Sequence, residues 1–458
     1  MDFANGGSLK KITAGLLKIC PGHHQNPIYY SLSGSDPIRG LEYRLDRFRL
    51  FWHVKVGTGK NAHDRMIDKP RIAIIHPQLR EGGGSEARAL RAAEALEGDH
   101  DITLVTMGSP DLEKLNRYYG THFCGDRIRI VSFPIPAFAR SRFAALRSTR
   151  AARYCRENAS RFDLMISTYS IMDFGVKGIQ FIADFSFDDV LRERDRNDPR
   201  TLVRALRRSR IIRGPYLSLA RALSRASRDG WKRNLTIANS DWTVRTLREA
   251  FGIETRRIYP PVVDVPRGVP WDEREPGFVY LGRISPEKDI ESIIGILKAI
   301  RERGSDIHLH IVGDSSDPGY MKRIRALCLQ NAAWVFLEGK MVGEDKAAFV
   351  GRHRFGISAC WNEAFGIAVA EMVKAGCLVW VPEGGGQTEI VGRPELIYFG
   401  REDAVGKIGR VLRDENLQAA LSEHLEDRKE MFSVDRFARE VRAVVTDVVR
   451  GHTGAHAS

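Results

Sequence analysis

The chain contains two series of short apolar segments that alternate with stretches of helical periodicity, and a proline-rich stretch separates the two series. The first series begins at residues 71–76 (RIAIIH) and the second at residues 278–281 (FVYL). Short apolar runs between amphipathic helices are typical of strands buried on both faces of a parallel sheet. At 458 residues the chain is also too long for one ordinary core. We therefore expect an α/β protein with two doubly wound domains.

The order of the predicted elements divides the chain into four parts. A glycine turn at 82–84 and a helix follow the first strand, and further strands are predicted over 102–106, 128–132 and 164–167. After the second opening strand, a helix over 289–304 precedes strands predicted over 308–312, 334–337, 355–358 and 377–381. Residues 259–270 lack periodicity and are rich in proline, which is typical of a linker. The predicted parts are an N-terminal extension (1–70), a first domain (71–268), a second domain (269–432), and a helix returning to the first domain with a tail (433–458).

The chain is basic, with 71 Lys and Arg against 58 Asp and Glu and a formal net charge of +13. This balance favours an acidic partner, either a phosphorylated ligand, an anionic membrane surface or nucleic acid. Nucleic acid is disfavoured because no recognition motif accompanies the charge. The hydrophobic content of 43% excludes a disordered or fibrous chain.

The six cysteines include no CxxC pair, which is typical of reduced thiols in a cytoplasmic protein and provides no zinc-binding spacing. No apolar run reaches the roughly 20 residues of a membrane-spanning helix. A basic and apolar stretch at residues 9–19 fits an amphipathic helix on a membrane or an ordinary surface helix. We expect a cytoplasmic protein, with a peripheral position at the inner face of a membrane left open.

Glu363 and Glu371 flank a glycine turn at the start of a predicted helix. Such a turn lies at the carboxyl end of a strand, where α/β proteins bind ligands. The backbone N–H groups of residues 365–368 would face an anion at the helix N-terminus. Glu371 would then accept hydrogen bonds from a ribose diol, and Glu363 would reach sugar hydroxyls. The alternative is that Glu363 caps the helix and Glu371 is a solvated charge.

Arg283 and Lys288 stand in the loop between the strand at 278–281 and the next helix. Two cations at the same sheet edge as the glutamates can neutralise a diphosphate. An arginine and a lysine in a loop are otherwise most often solvated. Combined with Glu363 and Glu371, they predict a nucleoside-diphosphate site.

Taken together, these motifs resemble the donor half of glycosyltransferase family 4. The segments that carry the resemblance are Gly282-Arg283…Lys288, Glu363-x7-Glu371 and the loop 384–389 (GGGQTE). Residues 238–243 (ANSDWT) and 258–264 (IYPPVVD) are similar to that family's domain junction, and the glycine loop 82–84 to its first-domain loop. The resemblance covers about residues 71–450. It implies the GT-B fold, with two Rossmann-like domains facing each other across a cleft, and a retaining transfer from a nucleoside-diphosphate sugar.

The resemblance also implies site residues and ligands. The catalytic candidates are Arg283 and Lys288 on the leaving diphosphate and Glu363 on the transferred sugar. The donor-binding candidates are Gly83, Gly84, Phe365, Gly366, Ile367 and Glu371. No cofactor is expected beside the donor, with a GDP-sugar preferred over a UDP-sugar, and the expected acceptor is a glycan or a lipid-linked glycan. The Tyr-Pro-Pro junction and Trp242 favour the subgroup similar to the α-1,2-mannosyltransferase of lipid-linked oligosaccharides, and hence mannose.

One departure from the family pattern concerns a histidine that members often carry near the cleft. The corresponding segment, residues 179–187 (IQFIADFSF), has no histidine, so the sugar-contacting role of that histidine is either taken by Asp184 or absent. Asp184, Asp188 and Asp189 look like metal ligands, but we prefer helix capping, because arginine and lysine replace a metal ion in GT-B chemistry. The sequence therefore predicts no metal site.

Residues 201–233 hold ten Arg and Lys side chains, with leucines and isoleucines between them and one acidic residue, Asp229. Such a stretch can dock on anionic lipid and bring a lipid-linked acceptor to the cleft. It can equally form a solvated face on helices that cover the sheet. Both interpretations stay open.

Two other functions also stay open. A non-catalytic nucleotide-sugar-binding protein is favoured by the missing histidine, and a sugar-nucleotide epimerase would use a similar fold. A phosphorylase of that fold lacks its cofactor lysine context here. Nucleotide binding without turnover would indicate the binding protein.

Overall fold

The computed structural model describes residues 69–122, 127–135, 149–188, 191, 210–263 and 269–454. The predicted extension up to residue 68, Asp189 and residues 201–209 of the basic stretch lie outside the described residues. In that stretch, side chains are described from residue 214 onward.

The first half of the chain builds a parallel sheet. Its described strands are β1 (Arg71–Ile75), β2 (Asp101–Met107), β3 (Arg129–Phe133), β4 (Leu164–Ser167), β5 (Ile179–Ile182), β6 (Leu235–Ala238) and β7 (Thr255–Arg257), in the order β3-β2-β1-β4-β5-β6-β7. The helices are α1 (Gly84–Leu96), α2 (Leu112–Tyr119), α3 (Thr149–Glu157), α4 (Arg210–Ser224) and α5 (Asp241–Phe251), with 3-10 turns at Ala159–Arg161 and Gly230–Arg233. Alternate residues of β1 enter two different core clusters, one on each face of the sheet, which is why this strand is apolar throughout.

The second half builds another parallel sheet. Its described strands are β8 (Glu275–Leu281), β9 (Leu309–Val312), β10 (Val335–Gly339), β11 (His353–Ile357), β12 (Leu378–Pro382) and β13 (Ile397–Tyr398), in the order β10-β9-β8-β11-β12-β13. The helices are α6 (Ile290–Glu302), α7 (Pro318–Gln330), α8 (Gly343–Gly351), α9 (Ile367–Lys374), α10 (Gln387–Val391), α11 (Arg401–Leu412) and α12 (Glu415–Arg428). The 3-10 turns are Trp271–Glu273, Pro286–Lys288, Pro394–Leu396 and Lys429–Phe432.

The C-terminal helix α13 (Val434–Gly454) packs against the first half of the chain. Phe437, Val441 and Val445 belong to the same buried cluster as β1 and α1. The Arg442 guanidinium donates to the Ala95 carbonyl oxygen at 2.7 Å. The end of the chain therefore crosses back and joins the two halves.

The strand order of each sheet reverses direction at one point, between β1 and β4 in the first sheet and between β8 and β11 in the second. Open α/β sheets bind ligands in the crevice at such points, beyond the carboxyl ends of the strands. The prediction of two doubly wound parallel sheets is confirmed. The reversal between β8 and β11 is also where the candidate cations and Glu363 follow their strands.

Candidate functional site

Lys288 and Glu363 form an ion pair where the loops after β8 and β11 meet. Lys288 ends the 3-10 turn before α6, and Glu363 lies in the loop between β11 and α9. Both side chains are largely buried, with 18% and 25% of their surface exposed. Two residues that the sequence assigned to different parts of a ligand therefore neutralise each other's charge.

The surroundings keep both members of this pair charged. Burial by itself lowers the pKa of Lys288, but Glu363, followed by Cys360 and Tyr280, outweighs burial and raises that pKa above its usual value. Burial pushes the pKa of Glu363 upward, yet Lys288 prevails and holds it below its usual value. The site therefore presents an ammonium and a carboxylate side by side at neutral pH.

Cys360 lies against the pair, with its sulfur 3.6 Å from the Lys288 ammonium. Burial, reinforced by Glu363, raises the pKa of this thiol to about 12. Because only the thiolate is a good nucleophile, Cys360 is a packing residue rather than a nucleophile.

The glycine loop at 384–386 holds the backbone of Glu363 in place. The Gly386 N–H donates to the Glu363 carbonyl oxygen at 2.7 Å. Gly385 has φ of +77°, and a Cβ atom on it would lie 2.3 Å from the same oxygen. Only glycine fits this close approach, so the loop positions the carboxylate that the sequence singled out.

Arg283 stands near this pair, where its positive charge helps to lower the pKa of Glu363. Its side chain is 74% exposed, and its guanidinium lies 3.5 Å from Glu287. The exposed guanidinium is accessible to an anionic ligand.

Helix α9 begins after Gly366, whose φ is +98°, and the N-terminus of this helix lies beside Glu363. The first N–H groups of a helix have no intrahelical acceptor and favour an anion. Phe365 is buried and packs its ring 5.7 Å from those of Tyr259 and Phe432. Its side chain is therefore core, and only its backbone can contact a ligand.

Glu371, one turn into α9, is paired with Lys346 of α8 at 2.7 Å. Both side chains are about three-quarters buried, with 28% and 26% exposed. The predicted contact of Glu371 with a ribose stays a prediction, and Lys346 would have to share the carboxylate.

The first-domain glycine loop lies against the same helix. The N–H groups of Gly82 and Gly83 donate to the Tyr119 hydroxyl oxygen at 3.0 and 3.1 Å, and that hydroxyl donates to the Arg80 carbonyl oxygen at 2.7 Å. A Cβ atom on Gly84 would lie 1.9 Å from the Cδ1 atom of Ile367. The loop therefore reaches the α9 N-terminus through Gly84, while the Gly83 N–H is already occupied by Tyr119.

Two family models match adjacent parts of the chain. The model described as Glycosyltransferase Family 4 matches residues 82–267, and the one described as Glycosyl transferases group 1 matches residues 265–428. The chain belongs to glycosyltransferase family 4. The two matches meet in the segment predicted as the linker.

Individual relatives resemble this family 4 chain over different lengths. The GDP-Man:Man(3)GlcNAc(2)-PP-Dol alpha-1,2-mannosyltransferase of Eremothecium gossypii is 26% identical in an alignment of 161 residues that covers 32% of this chain and 27% of that protein. HepE of Anabaena, solved in complex with UDP and glucose, has a TM-score of 0.59 at 14% identity and covers 82% of this chain and 100% of its own. Sucrose-phosphate synthase of Thermosynechococcus elongatus has a TM-score of 0.62 at 17% identity, covering 84% of this chain and 100% of its own. These structures establish the GT-B fold.

The sequence reasoning missed a group of buried polar residues at the β1–β4 reversal of this glycosyltransferase. His76 follows β1 and is buried, and its Nε2 atom has no hydrogen-bond partner within the described part of the chain. Arg88 of α1 is also buried and donates to the Thr168 carbonyl oxygen at 2.6 Å. A histidine directly after the first strand of such a sheet was the available signal.

Asp184, in the segment where family members often carry a histidine, lies in this same region. Its Oδ1 accepts from the Ser186 N–H at 2.9 Å, and its charge acts on Arg88. Asp188 accepts from the Leu191 N–H at 3.0 Å. Within the described segments, neither aspartate belongs to a cluster with metal-binding geometry, so their contacts are local backbone caps.

Glu389 links the two domains, which the sequence did not indicate. Its carboxylate accepts from the N–H groups of Asp241 and Trp242 at the start of α5, at 2.9 and 2.7 Å, and from the Tyr259 hydroxyl at 3.1 Å. Nearby, the Ser240 hydroxyl donates to the Ala364 carbonyl oxygen at 2.6 Å. A carboxylate from one domain thus caps a helix of the other.

Proposed function

We propose that this protein transfers a sugar from a nucleoside-diphosphate sugar to a hydroxyl group of a glycan or lipid-linked acceptor, with retention at the anomeric carbon. The observation that supports it best is the buried Lys288–Glu363 pair beside the N-terminus of α9, at the sheet reversal of the second domain. Family 4 membership gives the reaction class. No described helix is long and apolar enough to cross a membrane.

Breaking the sugar–phosphate bond builds negative charge on the departing diphosphate. Lys288, Arg283 and the first N–H groups of α9 are donors that stabilise this charge more in the transition state than in the ground state. When the diphosphate takes the Lys288 ammonium, Glu363 becomes free to accept from sugar hydroxyls. These groups supply the charge that a metal ion would otherwise bring, so we propose that transfer needs none.

Retention requires that the new bond forms on the face that the leaving group departs from. The acceptor oxygen bonds to the anomeric carbon as the sugar–phosphate bond breaks, and the electron pair of the broken bond stays on the diphosphate oxygen. A diphosphate oxygen takes the acceptor's hydroxyl proton. This step needs no protein nucleophile, which is consistent with the inert thiol of Cys360 beside the pair.

The preferred donor is GDP-mannose. The support is the Eremothecium gossypii relative, whose name contains GDP-Man and a dolichol-linked acceptor. HepE was solved with UDP and glucose, so a UDP-sugar is the competing donor. A lipid-linked acceptor also agrees with the basic, partly apolar stretch around α4.

The test is a transfer assay with the full chain, GDP-mannose or UDP-glucose, and lipid-linked or free glycan acceptors, in the presence of EDTA. We expect a mannosylated product with retained configuration by mass spectrometry and NMR. Glu371→Ala should weaken nucleotide binding by about 10- to 100-fold, as expected for loss of a charged hydrogen-bond acceptor, while Glu344→Ala at the exposed start of α8 should not. Tight nucleotide binding without transfer to any acceptor would refute the proposal in favour of a binding protein.

A further inference from the structure

Four side chains with metal-binding atoms converge at the amino ends of neighbouring strands in the second sheet. The Lys288–Glu363 pair lies beyond the opposite, carboxyl ends. We name them the histidine cluster, and they are Glu275, His308, His310 and His353. Glu275 begins β8, and His353 begins β11. His308 directly precedes β9, and His310 is the second residue of that strand. Because β8 spans seven residues, these amino ends are roughly 20 Å from the carboxyl ends that carry the candidate donor site.

The strand register explains why these residues meet. Glu275 is paired with His353 across β8 and β11. His308 and His310 are two residues apart, so they project from the same face of β9. One ligand atom from each of the four residues lies within 4.8 Å of all the others. Three neighbouring strands therefore contribute to one group of ligand atoms.

Burial and hydrogen bonding leave nitrogen atoms facing the centre of the cluster. The His353 ring is 1% exposed, and its Nε2 atom has no hydrogen-bond partner among the described residues, although the Glu275 carboxylate lies 3.8 Å away. The His308 Nε2 atom lies 3.3 Å from the same carboxylate. Glu275 is 48% exposed, so an ion can reach the cluster from solvent.

The outer nitrogen atoms of two rings are already held. The His310 Nδ1 atom lies 2.7 Å from the Glu338 carboxylate, and the His353 Nδ1 atom lies 2.9 Å from the Phe349 carbonyl oxygen. A metal-binding histidine usually gives its second nitrogen to a carboxylate or a backbone carbonyl, which fixes the ring and its tautomer. Both contacts leave Nε2 as the inward atom.

Gly277 of β8 provides the space that the cluster occupies. A Cβ atom at this position would lie 2.0 Å from the Nε2 atom of His308. Any side chain there would displace that ring from the centre of the cluster. The absence of a side chain on β8 thus allows a ring from β9 to lie over it.

We propose that the histidine cluster binds one zinc ion, which cross-links β8, β9 and β11. Three imidazoles and one carboxylate are zinc ligands, and closed sites with four protein ligands are structural rather than catalytic. Bonds of about 2.0–2.1 Å hold tetrahedral ligand atoms about 3.3 Å apart. The ligand atoms of the cluster lie within 4.8 Å of one another, so the widest separation must shorten by about 1.5 Å. This differs from the sequence prediction of no metal site, and it is independent of the proposed transfer reaction.

A metal ion binds an imidazole in its neutral form, and the His353 ring is buried. Without a metal, these rings would only stack on one another and on Phe336 and Phe349. A measurement of zinc binding therefore distinguishes a metal site from a group of rings held only by stacking.

The test uses the full chain, purified with a cleavable tag that contains no histidine, stripped with chelator and titrated with zinc against a chromophoric competitor. We expect one zinc per chain, a higher unfolding temperature with zinc, and visible absorption of a tetrahedral Co²⁺ complex. The double variant Glu275→Gln/His308→Asn should lose all three. Glu338→Gln, which removes only the partner of His310, should weaken zinc binding by about 10- to 100-fold.

The matched control is His424→Ala in α12, a histidine of the same domain whose ring also contacts a backbone carbonyl oxygen but which lies outside the cluster. It should bind zinc like the wild type. Circular dichroism of the metal-free variants shows whether they fold. Substoichiometric zinc in the wild type, or unchanged zinc binding by the folded double variant, would overturn the proposal whatever the outcome of the transfer assay.

Discussion

Gly84 of the first domain lies so close to Ile367 of the second that a methyl group on the glycine would come within 1.9 Å of the isoleucine Cδ1 atom. Gly84 is the first residue of α1 and Ile367 the first of α9. Two helix N-termini from different domains therefore meet across the cleft, at the position proposed for the donor diphosphate. The distance between them depends on the absence of one side chain.

Replacing Gly84 by Val should separate these helices and slow transfer. A misplacement of about 1 Å at a reacting centre can cost about 10²-fold in rate, so we expect a loss of that order in kcat with little change in unfolding temperature. Gly84→Ala should lose less, because the Ile367 side chain end can rotate away. The control is Gly98→Ala, where an added Cβ atom would meet no atom within 4 Å. Wild-type kcat in Gly84→Val would show that the contact is unimportant.

The Lys288–Glu363 pair should contribute to stability as well as to donor binding. Lys288→Ala leaves a largely buried carboxylate without its partner, which typically costs about 3–5 kcal/mol of unfolding free energy. The double variant Lys288→Ala/Glu363→Ala should recover part of that loss, because no uncompensated charge remains. Denaturant unfolding of the single and double variants measures this coupling. Strictly additive losses would contradict a direct interaction.

The strand pattern could be predicted from the sequence because central parallel strands are apolar on both faces, as in Arg71–Ile75 and Leu378–Pro382. The interior strand Leu235–Ala238 and the edge strands Thr255–Arg257 and Ile397–Tyr398 were missed. The first contains the polar Thr236, the second is polar throughout, and the third has only two residues. A short or polar strand carries little periodic signal.

Single site residues could be chosen from the sequence, but contacts between distant segments could not. Lys288 and Glu363 are 75 positions apart, and Glu389 reaches α5 across nearly 150. The histidine cluster depends on which strands are neighbours, since β8 separates β9 from β11 in the sheet but precedes both in the chain. The spacing of residues along the chain does not predict the order of the strands in the sheet.

His76 should make stability fall in mild acid. Burial, reinforced by Arg88, lowers its pKa from 6.5 to about 3, so between these values the unfolded chain binds a proton that the folded chain does not. The contribution of neutral His76 to the free energy of unfolding is complete above pH 6.5. It declines as the pH falls toward 3, by up to about 1.4 kcal/mol per pH unit.

His76→Asn, which cannot titrate, should flatten this part of the stability profile. Unfolding free energies measured from pH 7 to pH 4 provide the comparison, with His122→Asn at an exposed position as the control. A wild-type slope in His76→Asn would assign the acid sensitivity to other groups.

The last prediction concerns the surface of α4, which we expect to bind anionic membranes. Leu219 and Leu223 are 52% and 46% exposed and lie one turn apart on this helix. Arg225 follows them and is 63% exposed, 3.3 Å from Glu157. Exposed leucines beside arginines are the composition of a surface that inserts shallowly among lipid head groups.

The measurement is co-sedimentation with anionic and neutral vesicles at two salt concentrations. Each Lys or Arg near an anionic bilayer contributes about 1 kcal/mol, so reversing Arg207, Arg208 and Arg210 to Glu should reduce binding more than tenfold. Leu219→Ser/Leu223→Ser should weaken the binding that persists at high salt, where charges are screened beyond a few ångströms. Reversing three arginines of the second domain, Arg303, Arg323 and Arg352, changes the net charge equally and should leave binding nearly unchanged if α4 is the contact surface. Equal losses from both triple variants would mean that only net charge matters, and a wild type that ignores anionic vesicles at low salt would favour a soluble acceptor.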